Sequence, residues 1–227
     1  MSESRQHELA VRMAELARSV TAPRTMDDVL LEATTAAVEL IDGADAAGIL
    51  LVQKGGTFES RAGTSGLPHE LDELQFTVQE GPCLSAALHD LVVQTNDFRA
   101  EKRWPAYTAA VMKVGVLSGM SFRLYTSERT AGALNVFGYE PVEWDDEAIT
   151  IGTVLAAHAV AAIAATRESE QLHSALATRD VIGQAKGIIM ERFNLDDIAA
   201  FQMLRRLSQD SNTPLSAIAQ RVVDTRG

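Results

Sequence analysis

The period of the apolar positions changes several times along this 227-residue chain, and each change marks an element. From Ser2 to Val20, the residues Leu9, Val11, Met13, Leu16, Ala17 and Val20 predict a helix with one apolar face, which Pro23 ends. Val29, Leu30, Ala33, Ala37, Val38 and Ile41 predict a second helix, capped by Thr25 or Asp27 and running to Leu40 and Ile41. Ala46 to Val52 then predicts a strand. Lys54 to Thr57 is its turn and Phe58 to Ala62 the return strand of a hairpin. Gly63 to Asp97 reads as a mixed loop region. Within it, Glu80, Gly81 and Pro82 form a turn that opens a short helix to Leu88, and Val92 to Thr95 is a short extended piece. Asp97, Phe98 and Arg99 make a turn, Trp104 to Val114 a helix, and Gly119 to Leu124 and Ala131 to Phe137 two strands flanking the polar turn Thr126 to Thr130. This order predicts an α+β fold, an antiparallel sheet with helices packed against it.

The rest of the chain is helical in pattern. No proline interrupts Asp146 to Phe193, so one rod is expected, with Asp145, Asp146 and Glu147 capping its start. Ile151, Val154, His158, Ala161, Ala165, Leu172, Ala175 and Ile182 approximate a heptad that Glu168 and Arg179 break, the pattern of a weak and adjustable dimer seam. The uncharged run Ala148 to Thr166 nearly matches a membrane span in length, but it is mostly alanine and carries Thr150, Thr153 and His158, which predicts a buried helix. Asn194 stops the rod. A second tail helix, capped near Asp196, is expected to bury a stripe of Phe201, Leu204 and Leu207. Thr213 as cap and Pro214 as first residue start a third, with Leu215, Ile218, Ala219, Val222 and Val223 facing inward.

Composition narrows the function classes. Hydrophobic residues make up 46% of the chain and aromatics only 5%, which is enough for a core built on Ala, Leu, Val and Ile. With Cys83 as the one cysteine there is no intramolecular disulfide framework, and the start lacks the apolar stretch of a secretory signal, so the expected location is the cytoplasm. Net charge is −11, but the excess lies upstream: 12 Lys/Arg against 23 Asp/Glu through Thr166, and 8 against 8 from Arg167 onward. A nucleic-acid surface in the tail would therefore work through shape and a few contacts rather than a broad basic field.

Catalytic and metal-binding arrangements are not apparent. Cys83, after a Gly-Pro turn, reads as a buried free thiol in preference to a redox sensor, because no second cysteine exists to resolve a disulfide. His69, His89 and His158 lack ligand spacing, so no metal is expected. No Ser/His/Asp set stands out, and Gly183 to Gly187 lacks the Walker spacing. The expectation is a non-enzyme without a cofactor.

The most informative stretch is Arg179-Asp-Val-Ile-Gly183-Gln184-Ala185-Lys186-Gly187-Ile188-Ile189-Met190, where two glycines interrupt a strong helical run. Each costs about 1 kcal/mol relative to alanine in a helix interior. With Arg179 they fall four apart and leave a bare strip on one helix face, with Lys186 and Met190 at its margins. That run, followed by Ala200-Phe201, Leu204-Arg205, Ser208, Asn212, Leu215, Ala219 and Val222, resembles the ANTAR domain, a three-helix module of bacterial transcription antiterminators. Upstream, Gly81-Pro82-Cys83, Asp97-Phe98-Arg99, Arg103-Trp104-Pro105 and Gly132-Ala133-Leu134-Asn135, in this order of elements, look like the GAF domains that precede ANTAR modules in actinobacterial regulators.

Periodicity makes residues 1–24 an N-terminal helix, and the resemblance implies 25–165 as a GAF-like sensory domain and 166–227 as an ANTAR-like bundle joined by the long helix. It implies binding of paired RNA hairpin loops in nascent transcripts, gated by dimerisation and by a small-molecule effector of unknown identity in the GAF pocket. The surface residues expected are Arg179, Gln184, Lys186, Gly187 and Arg205, then Ser208 and Asn212. The competing readings are ordinary solvated charges for the arginines and helix-end capping for Ser208 and above all Asn212. Two other classes are kept: a sensory dimerisation module, and a helix-turn-helix DNA binder, which would need polar and basic residues where Pro214-Leu-Ser-Ala-Ile-Ala offers almost none.

Overall fold

The sheet at the centre of the first unit is built from strands whose two faces differ in chemistry. In the computed structural model, which describes residues 11, 14, 25–53, 57–88, 90–125 and 130–225, β1 (Ala46–Val52), β2 (Phe58–Arg61), β3 (Val92–Thr95), β4 (Ser118–Tyr125) and β5 (Thr130–Gly138) form one antiparallel sheet in the order β2-β1-β5-β4-β3. Its register sets Ile49 opposite Leu134 and Met120 opposite Val136. Because side chains alternate across a strand, Ala47, Ile49, Leu51, Met120, Phe122, Leu124, Leu134 and Val136 gather on one face.

That face is covered by α1 (Met26–Leu40), through Leu30 and Ala37, and by the start of α5 (Asp146–Phe193), through Ile151, Leu155, Ala159 and Ile163. Thr25, not Asp27, caps α1 in a reciprocal box: its Oγ1 accepts from the Asp28 amide at 3.2 Å and its own amide donates to Asp28 Oδ2 at 3.0 Å. The Asp145 carboxylate accepts from the Ala148 amide at 2.8 Å and caps α5. The apolar run of α5 is long enough to cross a membrane by length and composition. In the structure, Ala148, Ile151, Leu155, Ala156, Ala159, Ala162 and Ile163 are instead buried against the sheet's own core.

The opposite face is covered by α2 (Leu67–Val78), α3 (Pro82–Leu88) and α4 (Pro105–Val111), around Leu71, Ala86, Phe98, Trp104, Tyr107, Val111 and Phe137. Helix α2 lies where the sequence predicted loop. Its inward residues include Asp72 and Gln75, both buried, so the face that meets the core is not apolar and the helical period is masked. Asp97 accepts from the Arg99 amide at 2.9 Å to close a short 3₁₀ turn, Phe98–Ala100. Trp104 donates from its indole to Ser85 at 3.0 Å, with the Arg103 guanidinium 4.2 Å over its ring. These motif residues clasp the covering loops. The helix expected from Trp104 to Val114 stays α-helical to Val111 and tightens to 3₁₀ over Met112–Val114.

The second unit begins at Thr166. It consists of the remainder of α5, then α6 (Asp197–Asp210), capped by Asp196 accepting from the Ala199 amide at 2.8 Å, and α7 (Leu215–Asp224). Ala185, Ile189, Ala200, Leu204, Ile218 and Ala219 form its core. Two sequence expectations fail here. Phe201 and Leu207 are 40% and 43% exposed, because the buried stripe of α6 runs through Ala200 and Leu204. Thr213 does not cap α7; Pro214 occupies the cap position without a side-chain bond, and Thr213 donates instead to the Ser211 carbonyl at 3.1 Å. Of the predicted N-terminal helix only Val11 and Ala14 belong to the described residues, both helical and exposed.

Gly152 lets α5 approach the sheet closely. A Cβ built there would stand 2.0 Å from the Phe122 ring, which is 1% exposed. Gly152→Ala is therefore expected to lower stability by about 1–3 kcal/mol through overpacking, despite the better helix propensity of alanine. Urea unfolding of the first unit's tryptophan signal measures it.

Candidate nucleic-acid interface and sensor face

On α5 the buried residues of the second unit are Ala185, Ile188 and Ile189. At 100° per residue, Gly183 and Gly187 fall on the side away from them. Both are exposed, and a Cβ built on either meets nothing within 4 Å. Packing therefore does not require these glycines. The strip anticipated from sequence is open, with Arg179 exposed one turn before Gly183.

Lys186 lies at the margin of the strip, 26% exposed, and its ammonium pairs with the Asp197 carboxylate at the start of α6. Gln184 is exposed but two residues away, so it points to a different flank. Asp180 and Glu191, also exposed, stand on that flank by helical angle. Arg205 is exposed on α6, two turns along from Asp197 and on its side of the helix. Arg179 and Lys186 thus line one margin of the strip, with Arg205 further along α6, and Gln184 lines the other margin together with Asp180 and Glu191.

Ser208 and Asn212 belong to the end of α6. The Ser208 hydroxyl is half-buried and donates to the Thr213 carbonyl at 2.6 Å. Asn212 has φ of 47°, the left-handed conformation that asparagine tolerates after a helix, and its amide donates to Gln209 at 3.2 Å. Both act in the turn. Asn194, with φ of 50°, stops α5 in the same way.

The sheet face under α2–α4 holds polar groups that the sequence did not mark as a set. Ser121 donates to Asn135 at 2.8 Å, and Asn135 donates to Asp72 at 3.4 Å. The Gln75 carbonyl accepts from the Cys83 amide at 3.0 Å. All five are buried. Asp72 Oδ2, Gln75 Nε2 and Tyr107 Oη have no hydrogen-bond partner of acceptable geometry. Burial pushes the Asp72 carboxyl up to about 6, against hydrogen bonds from Ser60 and Asn135 and the charge of His69. Burial also pushes the Cys83 thiol up, and the Asp72 charge adds to this, which is the opposite of a reactive thiolate.

Among the other histidines, His69 is exposed and pairs with Glu73 at 3.5 Å. His158 is half-buried in α5, with its pKa lowered by burial. His89 lies outside the described residues. No group of three His, Cys, Asp or Glu able to hold a metal occurs among the described residues.

The GAF-domain family model matches residues 23–164, and the ANTAR-domain model matches residues 170–223. The chain belongs to the GAF family and carries an ANTAR domain after it. No curated protein matches it. Solved structures share the fold. The Stigmatella aurantiaca phytochrome photosensory core module is 11% identical, with 92% of this chain and 46% of that one covered and a TM-score of 0.63. The GAF domain of a Coxiella burnetii phosphoenolpyruvate-protein phosphotransferase is 15% identical over 72% and 96% of the two chains, with a TM-score of 0.56. Its counterpart from Acinetobacter is 14% identical over 74% and 97%, with a TM-score of 0.52. A sensory GAF domain followed by an RNA-binding antitermination module makes the GAF–ANTAR protein a signal-responsive regulator of transcription.

Gly183→Ala and Gly187→Ala should each stabilise the ANTAR helices by about 1 kcal/mol, since alanine gains helix propensity and meets open space. Hydrogen exchange of the α5 amides near residues 179–193 reads the change, and faster exchange would contradict it.

Asp72 sets a pH dependence. Its folded pKa lies above the ordinary 3.8, so the stability it contributes is fully present below that value and is lost as pH rises through about 6. Two pKa units correspond to about 3 kcal/mol. Asp72→Asn should therefore gain stability over the unaltered protein by up to about that amount between pH 4 and pH 8, measured as paired urea melts.

Proposed function

We propose that the GAF–ANTAR protein is a non-enzymatic, dimeric antiterminator that acts in the cytoplasm. Its ANTAR domain binds hairpin loops of a nascent transcript, and effector binding to the GAF domain gates that act. The open glycine strip carries the reading. Two helix-interior glycines whose side-chain space is empty give up about 2 kcal/mol of helix stability together, and close approach of a ligand backbone to the helix accounts for the sacrifice. Hairpin loops present splayed bases and a curved phosphate track that a few contacts can read. Arg179, Lys186 and Arg205 supply cations around the strip, and two ANTAR domains in a dimer would engage two loops with a gain in avidity. Exposed Leu172 and Leu176 on α5, 60% and 49% accessible, support a helical dimer seam.

Titration of the full chain with a labelled double-hairpin RNA, a scrambled RNA and a duplex DNA of matching sequence separates the function classes. Tight binding of the hairpin RNA alone is expected. Lys186→Glu and Gly187→Leu should each abolish it without loss of helical circular dichroism, and unaltered binding in both overturns the proposed face. Equal affinity for the duplex DNA would favour the helix-turn-helix class, and dimerisation without nucleic-acid binding the interaction module.

A further inference from the structure

The ANTAR domain displays an aromatic ring that its own fold does not use. Helix α6 buries Ala200 and Leu204, while Phe201 remains 40% exposed. Full burial of a phenylalanine stabilises a fold substantially, and at this exposure a large share of that gain is forgone. Scattered exposed apolar residues are common, so the ring's surroundings decide its meaning.

Those surroundings mix charge with a further apolar side chain. Phe201 lies one helical turn after Asp197, whose carboxylate holds the Lys186 ammonium, and one turn before the exposed Arg205. Along α6 the ring therefore follows the Lys186–Asp197 ion pair and precedes Arg205, on the side of the module where Lys186 borders the glycine strip. Ile198, 69% exposed, also lies one turn before the ring, so the patch joins charge to a small apolar surface. Cations beside a flat π-face form the combination that holds an unpaired nucleotide, with phosphates on the charges and the base on the ring.

We propose that Phe201 is a base-stacking platform of the RNA surface, taking one unpaired nucleobase of the hairpin loop while Arg205 and Lys186 hold the phosphates beside it. This rests on the RNA-binding reading above. In the complex, Lys186 exchanges the Asp197 carboxylate for a phosphate.

The test uses the full chain and the same double-hairpin RNA. Phe201→Tyr keeps the π-face and should bind within about two-fold of the unaltered protein. Phe201→Leu keeps an apolar side chain but removes the ring, and should weaken binding by about 10- to 100-fold, the loss expected for one stacked base. RNA carrying 4-thiouridine at successive loop positions, irradiated with the unaltered protein, should crosslink from one loop base to the peptide holding Phe201. This readout stands even if Phe201→Leu does not fold. Wild-type affinity of Phe201→Leu, or crosslinks only to other peptides, overturns the platform. If Lys186→Glu still abolishes binding in that case, the RNA surface survives without it. If Phe201→Leu alters sedimentation and leaves RNA affinity untouched, the ring belongs to a protein contact and the inference fails.

Discussion

One helix has to serve two cores, and the rest of the structure is arranged around that constraint. The first turns of α5 bury Ile151, Leu155, Ala159 and Ile163 on the sheet, and its last turns supply Ala185 and Ile189 to the three-helix module. Its first part alternates large residues with small ones, and Gly152 lets it lie close to the sheet over the Phe122 ring. The last part buries less, since three short helices enclose a small core.

The two faces of the sheet divide the remaining work. Under α1 and α5 the strands present an aliphatic and aromatic layer without a break, which fixes the position of the long helix. Under α2–α4 the same strands present Ser121, Ala133 and Asn135, small or polar, and meet Asp72 and Gln75 from above. Burying incompletely paired polar groups costs free energy, and Asp72, Gln75 and Tyr107 bring that cost to this face. On the proposed reading, a bound effector would satisfy the polar groups of this face.

The same trade recurs on the ANTAR surface. Gly183 and Gly187 weaken the helix that carries them, and Phe201 forgoes burial, in a module with little stability to spare. Surface features that a fold would be better without are the ones that binding explains. By contrast Ser208, Asn194 and Asn212 are accounted for entirely by the turns they close.

The strands, the caps at Asp145 and Asp196, the proline-free rod and the open glycine strip were legible in the chain itself, because each depends on periodicity or on backbone propensity within a few residues. Helix Leu67–Val78 was not, since Asp72 and Gln75 point inward and spoil the apolar period that would have marked it. On α6 the expected Leu204 is buried, but Ala200 takes the place of Phe201 and Leu207 beside it, because local pattern favours the bulkier side chains. Gln184 and Lys186 lie on opposite margins of the strip by helical angle alone, and the module's packing added the pairing of Lys186 with Asp197. Local chemistry determined the elements and the bare strip. Which carboxylate pairs with Lys186, and which polar groups meet above the sheet, was decided by tertiary packing, because contacts between elements depend on how distant segments fit together.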